Sequence, residues 1–396
     1  MSECAAYRSH GSVTRMPDKR HLNNSIGATR RRSLTYVVAG LRASGTASDL
    51  RRLRTSFYTA RNRRSFRPTP TNLTKRLRLV VHVPTYPPLG FGGSEWSIRA
   101  TVEYLHREGH HVDVYVDAPT KPFIQSGIHI QNRPSRRALR SAYKSADIVL
   151  SQKASGITAS LLATKLGIPF VFFVRDIADW HSLPRRPDLL VFNAAWQRDM
   201  FRYEGPSIVV HPAVENHQYG VERGKYVTLI NLHDSKGGSM FMELVKRMPD
   251  LTFMGVTGVW AEDEVDMPSP LPRNLIIMPA TDDVRRVYRR TRLLLVPSKR
   301  ETFGRVALEA AASGIPIIAS PNPGTLEAMG NAATYAALSE PHEWETAIRA
   351  LDDPFLYQQK SQAARHRAIQ FGGVNEFASL EIELQSLRLR SAQKHL

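Results

Sequence analysis

The sequence predicts an α/β protein made of two doubly wound parallel-sheet domains in tandem, facing each other across a cleft. Short apolar runs alternate with helical patterns along most of the chain. Such alternation builds parallel sheets, because parallel neighbours need a crossover between them. The alternation breaks once, over the polar stretch ENHQYGVERGK at 215–225, and then begins afresh. Two series of strand–helix units separated by one break read as two domains.

The first series opens with LRLVVHVP (77–84), an apolar run of buried-strand type, followed by the loop PTYPPLGFGG (84–93). SEWSIRATVEYLHREG (94–109) then places Ile98, Val102 and Leu105 at helical spacing and stops at Gly109. HVDVYVDA (111–118), ADIVLSQ (146–152), IPFVFFV (168–174), DLLVFNA (188–194) and SIVVHPAV (207–214) are further strands. Helices are predicted over 157–167 and 195–205. After the break come the strands YVTLIN (226–231), LTFMGVTG (251–258), LIIMP (275–279), LLLVPS (293–298) and PIIAS (316–320), with helices mostly between them. From about Pro354 onward the chain reads as helical throughout. The expected divisions are a basic arm at 1–76, a first domain at 77–220, a second at 221–365 and a C-terminal helix at 366–396.

An apolar content of 42% and a charged content of 23% are those of a soluble globular protein. No apolar stretch approaches the ~18–20 residues that cross a bilayer. The N-terminal segment has no continuous apolar core of the kind a secretory signal carries. Cys4 is the single cysteine of the 396 residues, which excludes an internal disulfide or a cysteine-based metal cluster and fits a reducing, cytoplasmic setting. Charge is distributed unevenly. Residues 1–76 hold 17 Lys and Arg against Glu3, Asp18 and Asp49, so most of the formal +18 lies there. The segment is rich in polar residues and shows little periodicity beyond a short helical pattern at 49–58, so it reads as a mostly disordered arm. It is either a solubilising extension or an attraction for an anionic partner such as nucleic acid, an acidic protein surface or phospholipid.

Ligands of open parallel sheets bind beyond the carboxyl ends of the strands, so each loop after a strand is a candidate site. The richest is KRETFGRVALEAAASGIPIIAS (299–320). Glu301 follows a strand, Phe303 and Gly304 turn into a helix, and Glu309 lies within that helix, one turn beyond Arg305. Unpaired amides at a helix start receive phosphate oxygens, and carboxylates accept hydrogen bonds from paired sugar hydroxyls. Spacing alone would also fit two glutamates on a solvated helix.

The stretch from Glu301 to Ser320 resembles the donor-binding signature of glycosyltransferase family 4, whose fold is named GT-B: an acid, seven residues, a second acid, Phe-Gly after the first and Gly-x-Pro closing the helix. The resemblance implies that Glu309 holds a nucleotide ribose, that Glu301 contacts the transferred sugar, and that the amides of Phe303 and Gly304 approach the diphosphate. Lys236-Gly237 aligns with the Lys-Gly of the family's first loop in the second domain. The family's usual Arg five residues before that Lys is Asn231 here, which leaves Arg305 or Arg300 to supply the second cation. Gly92-Gly93 resembles the family's glycine loop near the donor phosphates. After IPFVFFV the family commonly has His where this chain has Arg175. Arg175 is a candidate catalytic residue that could hold a phosphate or acidic sugar oxygen, or pair with Asp176 or Asp179. Glu327 could face the cleft or serve a helix dipole. The histidines, His211 among them, form no metal-ligand pattern, so no metal is expected.

The implied function is a retaining glycosyltransferase that uses a nucleotide-diphosphate sugar, needs no cofactor, and transfers to an acceptor the sequence does not specify: a glycan, lipid, protein or modified DNA. By the same resemblance the C-terminal helices return toward the first domain. The alternative is a non-catalytic module of the same fold, tethered through its basic arm to nucleic acid or a protein assembly.

Overall fold

The structure is a computed structural model that describes residues 76–393 apart from 91, 133–134, 177–182, 184–185, 215–223 and 259–264. The basic arm, its helical pattern at 49–58, Cys4 and Asp179 lie outside the described residues.

The first domain contains β1 (Arg78–Val83), α1 (Gly93–Arg107), β2 (His111–Val116), β3 (Phe123–Gln125), β4 (Ile128–Asn132), α2 (Arg136–Lys144), β5 (Ile148–Gln152), α3 (Ser155–Leu166), β6 (Phe170–Val174), β7 (Leu189–Phe192), α4 (Ala195–Phe201) and β8 (Ser207–Val209). Its strands form one sheet in the order β3-β4-β2-β1-β5-β6-β7-β8. All pairings are parallel except β3 with β4. Every residue of β5, β6 and β7 is buried. Helices therefore cover both faces, and the strands are apolar throughout rather than alternating.

The second domain contains β9 (Tyr226–Ile230), α5 (Gly238–Arg247), β10 (Phe253–Val256), β11 (Leu275–Met278), α6 (Arg285–Tyr288), β12 (Thr291–Val296), α7 (Arg305–Ala312), β13 (Ile317–Ala319), α8 (Pro323–Met329), β14 (Thr334–Tyr335), α9 (Pro341–Ala350) and α10 (Pro354–Ile369), followed by α11 (Val374–Gln393). Its sheet runs β11-β10-β9-β12-β13-β14, entirely parallel. Local chemistry sets the helix starts. Asn322 caps α8 and Asp353 caps α10, each followed by a proline whose fixed φ and missing N–H suit the first turn.

The C-terminal helices return to the first domain as expected, but the span 366–396 holds the end of α10 and a separate α11. Gly373, with φ of +80°, separates α10 from α11. This break lets α11 leave the second domain. Phe377, Leu380, Leu384 and Leu387 of α11 join the core formed by Leu79, Val81, Ile98, Val102 and Leu105 of the first. Glu381 meets His110 at 3.1 Å and Arg388 meets Asp147 at 2.8 Å. The chain thus passes between the domains twice, and the passages touch: the amide of Val214 donates to the carbonyl of Phe371 at 3.2 Å.

Candidate active site

In each sheet the strand order reverses beside its first strand: β1 lies between β2 and β5, and β9 between β10 and β12. Loops leaving two such strands diverge and open a crevice at the carboxyl edge of the sheet. In the second sheet these loops carry Asn231, Lys236, Glu301, Phe303 and Gly304. In the first they carry Gly92, Gly93 and Lys153. Most of the residues predicted for the site therefore fall at the two reversal points.

The loops after β9 and β12 are locked together. Lys236 ends a 3₁₀ turn over Asp234–Lys236, and its Nζ lies 2.5 Å from Glu301 Oε1. Ser298 Oγ donates to the same carboxylate at 2.9 Å. The amide of Lys299 donates to the carbonyl of Ser235 at 3.0 Å, and Lys299 also pairs with Asp234. A Cβ on Gly237, whose φ is +81°, would run into the carbonyl of Pro297. Asn231 has φ of +62°, a left-handed conformation that Asn tolerates better than most residues. Gly304 precedes α7 with φ of +92°, and among the described residues no side chain caps that helix start by a hydrogen bond.

Glu309 is 6% exposed and already engaged: it accepts from Tyr288 Oη at 2.9 Å and from Arg305 Nε at 2.7 Å. Arg305 Nη1 also donates to the carbonyl of Ala213 at 3.0 Å, in the passage between the domains. Arg305, one of two candidates for the second cation, thus ties Glu309 to that passage. The glycine loop of the first domain meets it: a Cβ on Gly93 would stand 3.8 Å from Arg305 Cδ. The phenyl ring of Phe303 is buried, against His211 at 4.8 Å and Phe371 at 5.2 Å between ring centroids.

Arg175, the candidate catalytic residue after β6, is held by side chains of its own domain. It is 6% exposed, and its guanidinium donates to Gln152 Oε1 at 2.7 Å, Ser97 Oγ at 3.0 Å and Asn193 Oδ1, with Phe173 beneath it. It joins the ends of β5, β6 and β7 to α1. Nearby, Glu95 in the first turn of α1 is buried and accepts from Lys153 Nζ at 2.8 Å and Ser94 Oγ at 2.9 Å. Burial alone would raise the Glu95 pKa, but Lys153 and Ser94 hold it below the usual range.

Glu327, singled out in the sequence, joins His211 and Glu376 in a node between the domains that no sequence spacing indicated. His211 Nδ1 lies 2.6 Å from Glu376 Oε1 and its Nε2 2.7 Å from Glu327 Oε1. The backbone amide of His211 donates to Glu376 Oε2 at 2.7 Å. Glu327 also accepts from the amides of Ala195 and Trp196, at 2.7 and 2.9 Å. It therefore serves the start of α4 in the other domain, not the dipole of its own helix. With a carboxylate against each ring nitrogen, His211 is an imidazolium. Burial opposes that charge, but the hydrogen bonds to Glu327 and Glu376 and their negative charge outweigh it and raise the pKa to about 9. Glu327 likewise is raised by burial, yet His211 and the two amides bring it below the usual range. Among the described residues no group of three His, Cys, Asp or Glu is arranged to hold a metal ion, and no helix is long and apolar enough to cross a membrane.

The domain pair has close structural counterparts. Sucrose-phosphate synthase from Thermosynechococcus elongatus superposes with a TM-score of 0.63 at 13% identity, covering 80% of this chain and 100% of that one. Anabaena HepE in complex with UDP and glucose gives 0.65 at 14%, covering 78% and 100%. The fold is GT-B. Sequence likeness is strongest in the second GT-B domain, where residues 270–371 match the family model "Glycosyl transferases group 1". A D-inositol 3-phosphate glycosyltransferase of Kineococcus radiotolerans is 33% identical over 119 residues, 27% of each chain. One from Catenulispora acidiphila is 28% identical over 196 residues, 48% of this chain and 42% of its own. A glycogen synthase of Mycobacterium tuberculosis is 42% identical over 77 residues, 18% of each. The chain spans less than half the length of these curated relatives.

Proposed function

We propose that the chain is a retaining glycosyltransferase that moves a sugar from a nucleotide-diphosphate sugar to an acceptor hydroxyl. The observation that carries this reading is the Lys236–Glu301 pair at the reversal point of the second sheet, beside the uncapped start of α7. A diphosphate arriving there offers Lys236 a stronger partner than one carboxylate. Lys236 then turns to phosphate oxygens, and Glu301 is released to accept from hydroxyls of the sugar. The amides at Phe303-Gly304 face charge that grows on the leaving diphosphate, the kind of preorganised stabilisation that lowers a barrier. Glu309, shared with Tyr288 and Arg305, is the acceptor for the ribose hydroxyls. In front-face attack the acceptor oxygen bonds to the anomeric carbon as the bond to the diphosphate breaks, and a leaving phosphate oxygen takes the acceptor proton. Such a step needs orientation and charge stabilisation but no carboxylate nucleophile. The positive charge on the site comes from Lys236 and the helix start, with no metal required.

A panel of UDP-, GDP- and ADP-sugars tests this reading. At least one should be hydrolysed slowly in the absence of acceptor, releasing a sugar of unchanged anomeric configuration when followed by NMR. No turnover and no nucleotide binding would leave the chain a binding module of the same fold. Native acceptors would follow from mass analysis of glycans and lipids in cells with and without the active chain.

A further inference from the structure

The loop read as the donor site is held from the opposite domain. Trp196, in α4 of the first domain, donates its Nε1–H to the carbonyl oxygen of Thr302 at 2.7 Å. The His211 ring lies on Phe303, the next residue. Both of these supports depend on Glu327, which binds the amides of Ala195 and Trp196 and the Nε2 of His211 with one carboxylate. Glu376 of α11 fixes the other side of His211 through the ring and the backbone.

We propose that Glu327 and His211 are positioning residues of the donor site, forming a latch that holds the loop Glu301–Gly304 against the first domain through one shared imidazolium. The inference rests on the reading of that loop as the donor site, but the latch itself is a property of the chain without ligand. Without the proton, a ring lone pair would face a carboxylate, and two half-buried acids would share one neutral ring. The charged groups facing the ring are Glu327 from α8 and Glu376 from α11. One step further out are Arg367 from α10, held on the carbonyls of Glu327 and Ala328, and Arg305 from α7, held on the carbonyl of Ala213. Phe303 lies against the ring in a tilted contact, and Phe371 meets it in a T-shaped one. Because the folded His211 pKa is raised, the latch is intact at neutral pH and is lost as pH rises through about 9.

Two readouts test the proposal on the full chain between roughly pH 7 and pH 10: small-angle scattering without ligand, and titration with whichever of UDP, ADP or GDP binds. A one-proton transition centred near 9 is expected in both. The radius of gyration should grow, and nucleotide affinity should fall by about fivefold or more. Glu327→Gln keeps an acceptor for the amides but removes the charge, and should move the midpoint toward neutrality. Trp196→Phe should weaken nucleotide binding while leaving the midpoint in place. A flat wild-type response in both readouts would overturn the proposal, as would a transition that persists in His211→Gln. If the scattering transition is present and no nucleotide binds at any pH, the latch stands and the donor-site reading falls.

Discussion

Asn231 shows how the residue scale shapes the donor loops. Its left-handed backbone turns the chain after β9 so that its carbonyl accepts from the amide of His233 at 2.8 Å, and the 3₁₀ turn carrying Lys236 follows. Gly237 then brings this turn against Pro297. Gly237→Ala should both strain the left-handed backbone, by about 1–2 kcal/mol, and push the two loops apart. Nucleotide binding should fall along with thermal stability, and a variant that melts earlier yet binds normally would show that loop contact is not needed. Tyr288 makes a second test. Its buried hydroxyl serves Glu309, so Tyr288→Phe leaves one fewer donor on a buried carboxylate and should cost about 1–2 kcal/mol in urea unfolding. These contacts were only partly legible. The resemblance at Glu301–Ser320 singles out the loop that carries Glu309, but Tyr288 lies 21 positions from Glu309 with no local pattern joining them.

At the scale of elements, long apolar strands announced themselves and small or polar ones did not. The strands β5, β6 and β7 are buried on both faces, and composition alone marks such runs. The pair β3–β4 escaped notice because β3 has three residues, none of them buried. Helix α2, RRALRSAYK, went unread although Leu139 and Tyr143, its buried residues, stand four apart on one face. The predicted unbroken C-terminal helix passes over Gly372-Gly373, although glycine after a helix is a stop signal. That break matters, since it frees α11 to complete the first domain. Leu384→Ala, which removes a fully buried side chain of α11, should therefore destabilise the chain by about 2–5 kcal/mol. Hydrogen exchange should register the loss in β1 and α1, the elements α11 covers, and a response confined to the second domain would contradict this packing.

Over the described residues, two sheets bring their reversal points to a common boundary, where Gly93 approaches Arg305, and the two-domain architecture followed from the order of apolar runs. What binds the domains together did not. His211 finds its partners 116 and 165 positions away, in helices whose docking is a consequence of the complete fold. In the sequence it is one of 14 histidines. Arg175 follows the same rule: its position after a strand left both a ligand role and a pairing role open, and the assembled sheet gives it Gln152, Ser97 and Asn193 as partners. The central claim about function is that Lys236 exchanges Glu301 for a nucleotide diphosphate. Isothermal titration of the wild type and Lys236→Ala with UDP, ADP and GDP, each beside its monophosphate, addresses it most directly. The wild type should bind at least one diphosphate, the substitution should weaken that binding by about tenfold to a hundredfold, and the monophosphate should lose much less. Equal diphosphate affinity in both proteins, or no binding by the wild type, would contradict the account.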